Sequence, residues 1–487
     1  MDAKVMSAPS AGAGGRLREI DELPGPRGIP LLGNLLQAER ARIHQVVENW
    51  ARQYGSYFTF RLAGRRFLVV ADHEAVAAVL RDRPEGFGRT AKLHRISAEA
   101  GFERGVFSVN GETWRRQRRM VMASFDPAHV KAYFPSLVKV SQRLGARWQK
   151  AARAAEPIDL QSDLMRFTVD AIAGLAFGSE VNTLESDDDI IQHHLDKIFP
   201  MLFKRILAPV SYWHYLKLPA DRQFDRSVLV VKAAIDGFVA QARQRLAADP
   251  GLRQSPRNLL EAMLCAADQP ASGLTDRDVS GNVLTMLLAG EDTTANTLAW
   301  MIHLLDRNQP ALARARDEVR RVVGTATALT LEQMAQLPFI EACIHETMRL
   351  KPVGPFLPLE AHRDSVIGDI RVPAGTLVWC VMRHETMDDR YFANAGDFQP
   401  QRWLDAADPA QQAHSAKRLS MPFGAGPRIC PGRYLALLEM KLAMATLLSQ
   451  FDIAGVDTPD GAEARERMAF TMTPVGLRMR LRPAVLN

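Results

Sequence analysis

The stretch FGAGPRICPG, residues 423–432, sets three glycines and two prolines around a single cysteine. Glycine lets the backbone take positive φ or come close to another group, whereas proline fixes φ and removes a donor. A loop this stiff suits a sulfur that must be held at one angle toward something large. The ordinary reading of a lone cysteine is a small core hydrophobe. Whether Cys430 is more than that depends on the rest of the chain.

Upstream, TDRDVSGNVLTMLLAGEDTTANTLAWMIHLLDRNQP, residues 275–310, reads as one long helix, with Thr275 as its N-cap and Pro310 as its stop. At 1.5 Å per residue, about 33 residues run about 50 Å, enough to pass through a core. The ends are aliphatic, yet the middle is AGEDTT, residues 289–294. Gly290 weakens a helix by roughly 1 kcal/mol against alanine, and buried polar groups need partners. Thr293 and Thr294 bonding back to preceding carbonyls would be the plain explanation. Several broken local rules at one point argue instead for function.

Between helix and loop lies EACIHETMRLKP, residues 341–352, in which Glu346 and Arg349 are three apart and share a helix face. On a surface such a pair is worth little. Here Cys343, Ile344 and Met348 surround it, so burial and a further partner are expected. Arg402 in FQPQRW, residues 398–403, is the candidate.

Taken together, these motifs resemble those of the cytochrome P450 family of haem-thiolate proteins. The family's F-x-x-G-x-R-x-C-x-G loop corresponds to Phe423, Gly426, Arg428, Cys430 and Gly432. Its E-x-x-R helix corresponds to Glu346 and Arg349, and the following P-x-R to Pro400 and Arg402. Its A-G-x-[DE]-T segment corresponds to Ala289, Gly290, Asp292 and Thr293, and its W-x-x-x-R to Trp114 and Arg118. Each motif is weak alone; five in family order are specific.

The resemblance implies a mainly α fold with small β-sheets (α+β), built as a single large haem domain around a long central helix. It implies haem b with Cys430 as the iron's thiolate, which favours O–O cleavage. Arg428, Arg118 and the Trp114 indole would hold the haem propionates, with Phe423, Gly426 and Gly432 shaping the cradle. Gly290 would leave room for dioxygen, while Asp292 and Thr293 relay protons to it. Glu346, Arg349 and Arg402 would form a structural network. The pocket would take a lipophilic substrate against Ala289, Val353, Phe356 and Met472, with Phe102, Phe107, Phe199 and Phe203 nearby. Two departures stand out: Gln401 replaces a glutamate, and Phe356 occupies a position where many members carry an Arg or His for a propionate. His362, Lys92 and Arg95 are substitutes for that contact.

Composition is that of an ordinary globular protein: 47% of the 487 residues are hydrophobic and 24% charged. A net charge of +6 (61 − 55) gives no case for nucleic acid, although it allows a local basic patch for an acidic partner. Arg115, Arg116, Arg119 and Arg433 are the candidates for a docking face. Four cysteines without CxxC spacing fit a reducing, cytoplasmic setting. Residues 1–22 are small and polar, without the apolar core of a signal or anchor, and read as a disordered tail before a domain over residues 23–487. No run of 18 apolar residues occurs, so no membrane span is expected.

HETMR at 345–349 and HETMD at 384–388 each miss the second histidine of a zinc-protease motif. AGAGG at 11–15 lacks the βαβ context of a dinucleotide loop. Electrons are therefore expected from a separate ferredoxin or flavodoxin-like donor with its reductase. The rivals are a haem-thiolate isomerase, a peroxide-driven hydroxylase, or a haem-binding protein without turnover. Retention of Asp292 and Thr293 favours a monooxygenase using O2.

Overall fold

The structure is a computed structural model that describes residues 16–125, 127–178, 181–185, 190–324, 329–404 and 416–484. The long apolar run forms a helix over Asp276–Arg307, opened by Thr275, whose backbone N–H donates to the Asp278 carboxylate at 2.9 Å. It stops at Asn308, whose side chain accepts from the Ala311 N–H and so starts the next helix, Gln309–Val323. Val279, Val283, Leu298, Trp300 and Met301 of this central helix are fully buried. It runs through the main core and packs along the helix Leu160–Phe177. At their crossing, a Cβ on Gly290 would stand 3.2 Å from Ile172 Cγ1. Glycine at 290 thus lets the two helices pack tightly, and a larger residue would push on Ile172, a reason the sequence reading did not foresee.

The β-rich runs RFLVVA and TLVWCVM become Arg65–Val70 and Leu377–Val381, paired in parallel in a five-stranded sheet. The strand order is Tyr57–Leu62, Arg65–Val70, Leu377–Val381, Phe356–Ala361, Phe87–Gly88, and the other pairings are antiparallel. This sheet covers a second, smaller core with Val76, Leu80 and Ile370. The third strand run, GLRMRLR, becomes Arg478–Pro483, between Phe451–Asp457 and Ile158–Asp159.

Residues 16–22 fall within the tail expected to be disordered, yet they are structured. Arg18 donates to both Asp369 carboxylate oxygens at 2.7 Å and pairs beside Ile370, and Ile20–Glu22 forms a 3-10 turn. An isolated polar stretch gives no hint of an acidic partner some 350 residues away. Residues 1–15 lie outside the described residues. Among the described residues, no helix is long and apolar enough to cross a membrane.

Candidate active site

The Cys430 loop is built by three local devices. The Cys430 N–H donates to Phe423 O at 2.9 Å, and the Ile429 N–H to Gly426 O at 3.1 Å, closing the loop on itself. Gly426 sits at φ +69°, where a Cβ would press within 2.5 Å of Leu80 O, so only glycine lets the loop lie on the helix His73–Arg81. Two residues after the cysteine, Gly432 caps the helix Arg433–Gln450, whose positive N-terminal end faces the sulfur. Burial pushes the Cys430 thiol up, while the Gly432 backbone N–H and the charges of Arg118 and Arg433 pull it back. Gly432 itself has only ordinary contacts to Phe125 and the cysteine sulfur.

Cys430 opens onto a cavity of about 840 Å³. The central helix lines the same space with Ala289, Gly290, Thr293, Thr294 and Thr297. Phe423, Trp114, Arg118, Arg428, Val353 and Phe356 line it as well, so twelve residues from four distant stretches meet there.

Two expected residues do not. Met472 is fully buried with its sulfur 3.7 Å from Arg383 Nη1, and its backbone N–H donates to Val353 O. Met468, Phe470 and Thr471 line the cavity in its stead. The strand Met472–Pro474 begins at Met472, and the side chain that follows the lining Thr471 turns to the opposite face. Asp292 is also turned aside: its carboxylate accepts from Asn296 Nδ2 at 2.6 Å and from the Thr471 hydroxyl, and it does not line the cavity. Burial raises its pKa, against the pull of those two hydrogen bonds. Thr293 donates to Ala289 O at 2.6 Å, which leaves its oxygen lone pairs as acceptors. Of the aromatics expected nearby, Phe107 and Phe203 reach the cavity, whereas Phe102 does not and Phe199 stacks on Phe470 at 4.5 Å.

Glu346 and Arg349 are both wholly buried. Arg349 Nη2 and Nε donate to the two Glu346 oxygens at 2.7 and 2.8 Å, and Arg402 Nε donates at 3.0 Å. Two donors were not foreseen: Trp403 Nε1 at 2.8 Å and the Gln399 N–H at 2.9 Å. Arg349 spends its remaining donors on the carbonyls of Thr386, Ala395 and Asp397.

The cavity's other wall is cationic. Arg428 donates to the carbonyls of Val106, Phe107 and Val109 and to Asn110 Oδ1, and its guanidinium lies 5.1 Å from the Trp114 ring centre. Arg118 donates to Ile429 O at 2.7 Å. Sequence reasoning missed two more lining cations, Arg83 and Arg89. Arg89 donates Nε to Phe107 O and lies 3.9 Å over the Phe107 ring. None of the four has an ion pair to a carboxylate among the described residues. Burial, followed by the like charges of Arg83 and Arg118, lowers Arg428 to about 9, and burial lowers Arg83 to about 10. Of the substitutes expected for Phe356, Lys92 reaches the cavity and donates to Ala208 O at 2.5 Å, whereas His362 and Arg95 do not line it. Lining the lower wall, Glu439 is a buried carboxyl pushed by burial up to about 8.

These are the donors that a dianionic, iron-bearing, flat apolar cofactor requires: one sulfur, four guanidiniums lacking an anion, and an apolar cleft. Comparison with known proteins points the same way, since the cytochrome P450 family profile matches residues 23–480. The chain belongs to the cytochrome P450 family. That family uses haem b, and the residues present fit it. A self-sufficient cytochrome P450 monooxygenase of Oidiodendron maius is 29% identical over 90% of this chain and 40% of its own length. A bifunctional cytochrome P450/NADPH–P450 reductase of Bacillus subtilis is 25% identical over 96% of this chain and 43% of its own. A cytokinin hydroxylase of Arabidopsis thaliana is 24% identical over 90% of this chain and 87% of its own. The chain spans about two-fifths of the length of the first of these relatives.

Proposed function

We propose that this P450 domain is a haem-thiolate monooxygenase, inserting one oxygen atom of O2 into a lipophilic substrate by hydroxylation or epoxidation. The observation that carries this reading is that Cys430 and the polar break of the central helix border one cavity. When bound, haem b supplies the oxygen chemistry, with thiolate ligation favouring O–O cleavage. Cys430 would supply the thiolate to its iron, from a loop whose internal hydrogen bonds fix the sulfur. Arg118, Arg428 and the Trp114 indole would hold its propionates. Ala289, Val353, Phe356, Phe107 and Phe203 exclude water and receive the substrate.

Thr293, with its proton committed to Ala289 O, has its oxygen left to accept a hydrogen bond from a group bound in the cavity. Asp292 reaches the cavity through the Thr471 hydroxyl, so the proton path from acid to cavity runs Asp292–Thr471 beside Thr293. This differs from a direct Asp292–Thr293 pair and makes Thr471 part of the relay.

Electrons enter at the face around Cys430. Our reading is a separate acidic ferredoxin or flavodoxin-like donor with its reductase, acting in the cytoplasm; the Bacillus relative is by name fused to a reductase. The basic patch is weaker than four arginines suggest, because Arg115 is already paired with Glu85 and Glu112. Arg119 and Arg433 remain exposed, beside exposed Met122 and Tyr434.

The test is turnover with a surrogate reductase and a panel of lipophilic acids, terpenoids and steroids. The wild type should form oxygenated product, Thr293→Ala and Thr471→Val should divert reductant to peroxide, and Thr294→Ala should do so less. Unchanged product per electron in both of the first two variants would overturn the relay. Product formed from peroxide but never from O2 and reductant would overturn the monooxygenase.

A further inference from the structure

Arg83 follows directly on the helix His73–Arg81 and Asp82, in the loop RDRPEGFGRT, residues 81–90. Only 4% of it is exposed, and its Nε and Nη2 are walled in without a hydrogen-bond acceptor. The side chain lines the main cavity, so its charge meets open space through Nη1. A buried guanidinium without an acceptor is costly, because charge has left water with nothing in return. Among the groups around it, Arg89 and Arg428 are like charges, and the Cys380 thiol, which favours the charge, offsets less than burial takes away.

The neighbouring cations are provided for. Arg428 has four acceptors, Arg89 has the Phe107 carbonyl and ring, and Arg118 has Ile429 O. Arg83 alone of the four has no hydrogen bond among the described residues. An anion from outside the chain must complete it, and the anion this cavity is built to receive carries two carboxylates. We infer that Arg83 is a haem-propionate ligand, donating through Nη1 to a carboxylate that lies between it and Arg428. It fills the role for which the sequence leaves a phenylalanine at 356. This inference rests on the haem reading above and adds to it a contact that no motif marks.

The experiment crosses protein with cofactor. Wild type, Arg83→Leu and Arg83→Lys are each reconstituted with haem b or with haem b dimethyl ester, and haem transfer to apomyoglobin is timed. With haem b, Arg83→Leu should lose haem roughly tenfold faster than wild type, the worth of one charge-assisted hydrogen bond, and Arg83→Lys should fall between. With the ester, which has no carboxylate charge, the three proteins should release at the same rate. Equal rates with haem b would overturn the inference. So would a leucine effect that persists with the ester, which would make Arg83 a structural residue, or one that appears only with an acidic substrate, which would make it a substrate anchor. Wild type lacking the thiolate–CO absorption band would instead sink the P450 reading itself, and that control is read separately.

Discussion

The knot around Glu346 and the ring of Arg83, Arg89, Arg118 and Arg428 both hold guanidinium groups away from water, yet they are finished by different things. In the knot the chain supplies every partner: five donors converge on Glu346, and Arg349 meets three carbonyls besides. In the ring the described residues supply carbonyl oxygens and aromatic faces but no carboxylate. A buried ion pair missing one partner is strongly destabilising, so a fold tolerates an unfinished ring only when something outside the chain completes it. On the reading proposed above, the first region is scaffold and the second a receptor.

The knot is the place to expect the largest damage. Glu346→Ala strands Arg349 at zero exposure and should cost about 3–5 kcal/mol, giving misfolded or haem-free protein in thermal melts. Arg402→Ala removes one of five donors from a side chain that keeps 14% exposure, and should cost less, about 1–3 kcal/mol. Equal losses would mean that the knot does not act as described.

The ring predicts a dependence on cofactor and salt that the knot does not. Haem at a thousandfold excess over its Kd should stabilise the protein by about 4 kcal/mol. In haem-free protein the four cations repel, and salt screens them. Its melting temperature should therefore rise with sodium chloride more steeply than that of the haem-loaded protein. Parallel salt slopes with and without haem would remove the distinction between the two regions.

A second self-completed network sharpens the comparison through pH. Arg383 is clamped between Glu48 and Glu466, and Glu466 also accepts from His44, Gln45 and Lys351 at 2.8–3.0 Å. Burial pushes the Glu466 carboxyl up, but the bonds from His44 and Arg383 outweigh it and hold it well below the usual range. Such a carboxylate contributes stability that is fully present above its unfolded pKa, about 4.3, and is lost as pH falls toward the depressed folded value. Glu466→Gln should be less stable at neutral pH and should flatten the acid limb of urea-melt stability below about pH 4. An acid limb unchanged in slope would show that the network carries no such linkage.

The two regions also differ in how far the sequence reveals them. Glu346, Arg349 and Arg402 sit in short motifs with helical or turn spacing, and Cys430 in a loop whose glycines and prolines announce constraint. The central helix is legible to within a residue of its start, because Thr275 and its apolar run are local signals. Arg83 and Arg89 are not legible: in RDRPEGFGRT they read as loop charges, and nothing local says that Arg428, over 300 positions later, shares their cavity. Met472 is not legible as core because one residue of register in a strand exchanges lining for core. Gly290 borders the cavity, and its Cβ direction faces Ile172, a contact no local signal marks. Asp292 stands next to Thr293 in sequence, but a helix rotates adjacent side chains by about 100°, and its partners come from one turn on and from Thr471.

The central claim is that Cys430 presents its sulfur to the iron of a haem held by that cationic ring. The most direct measurement is the absorption spectrum of dithionite-reduced protein under carbon monoxide. The account predicts the far-red-shifted main band of thiolate ligation in the wild type and in Cys265→Ser, Cys343→Ser and Cys380→Ser, and its loss in Cys430→Ser. A band that survives in Cys430→Ser, or disappears in one of the other three while haem remains bound, would contradict it.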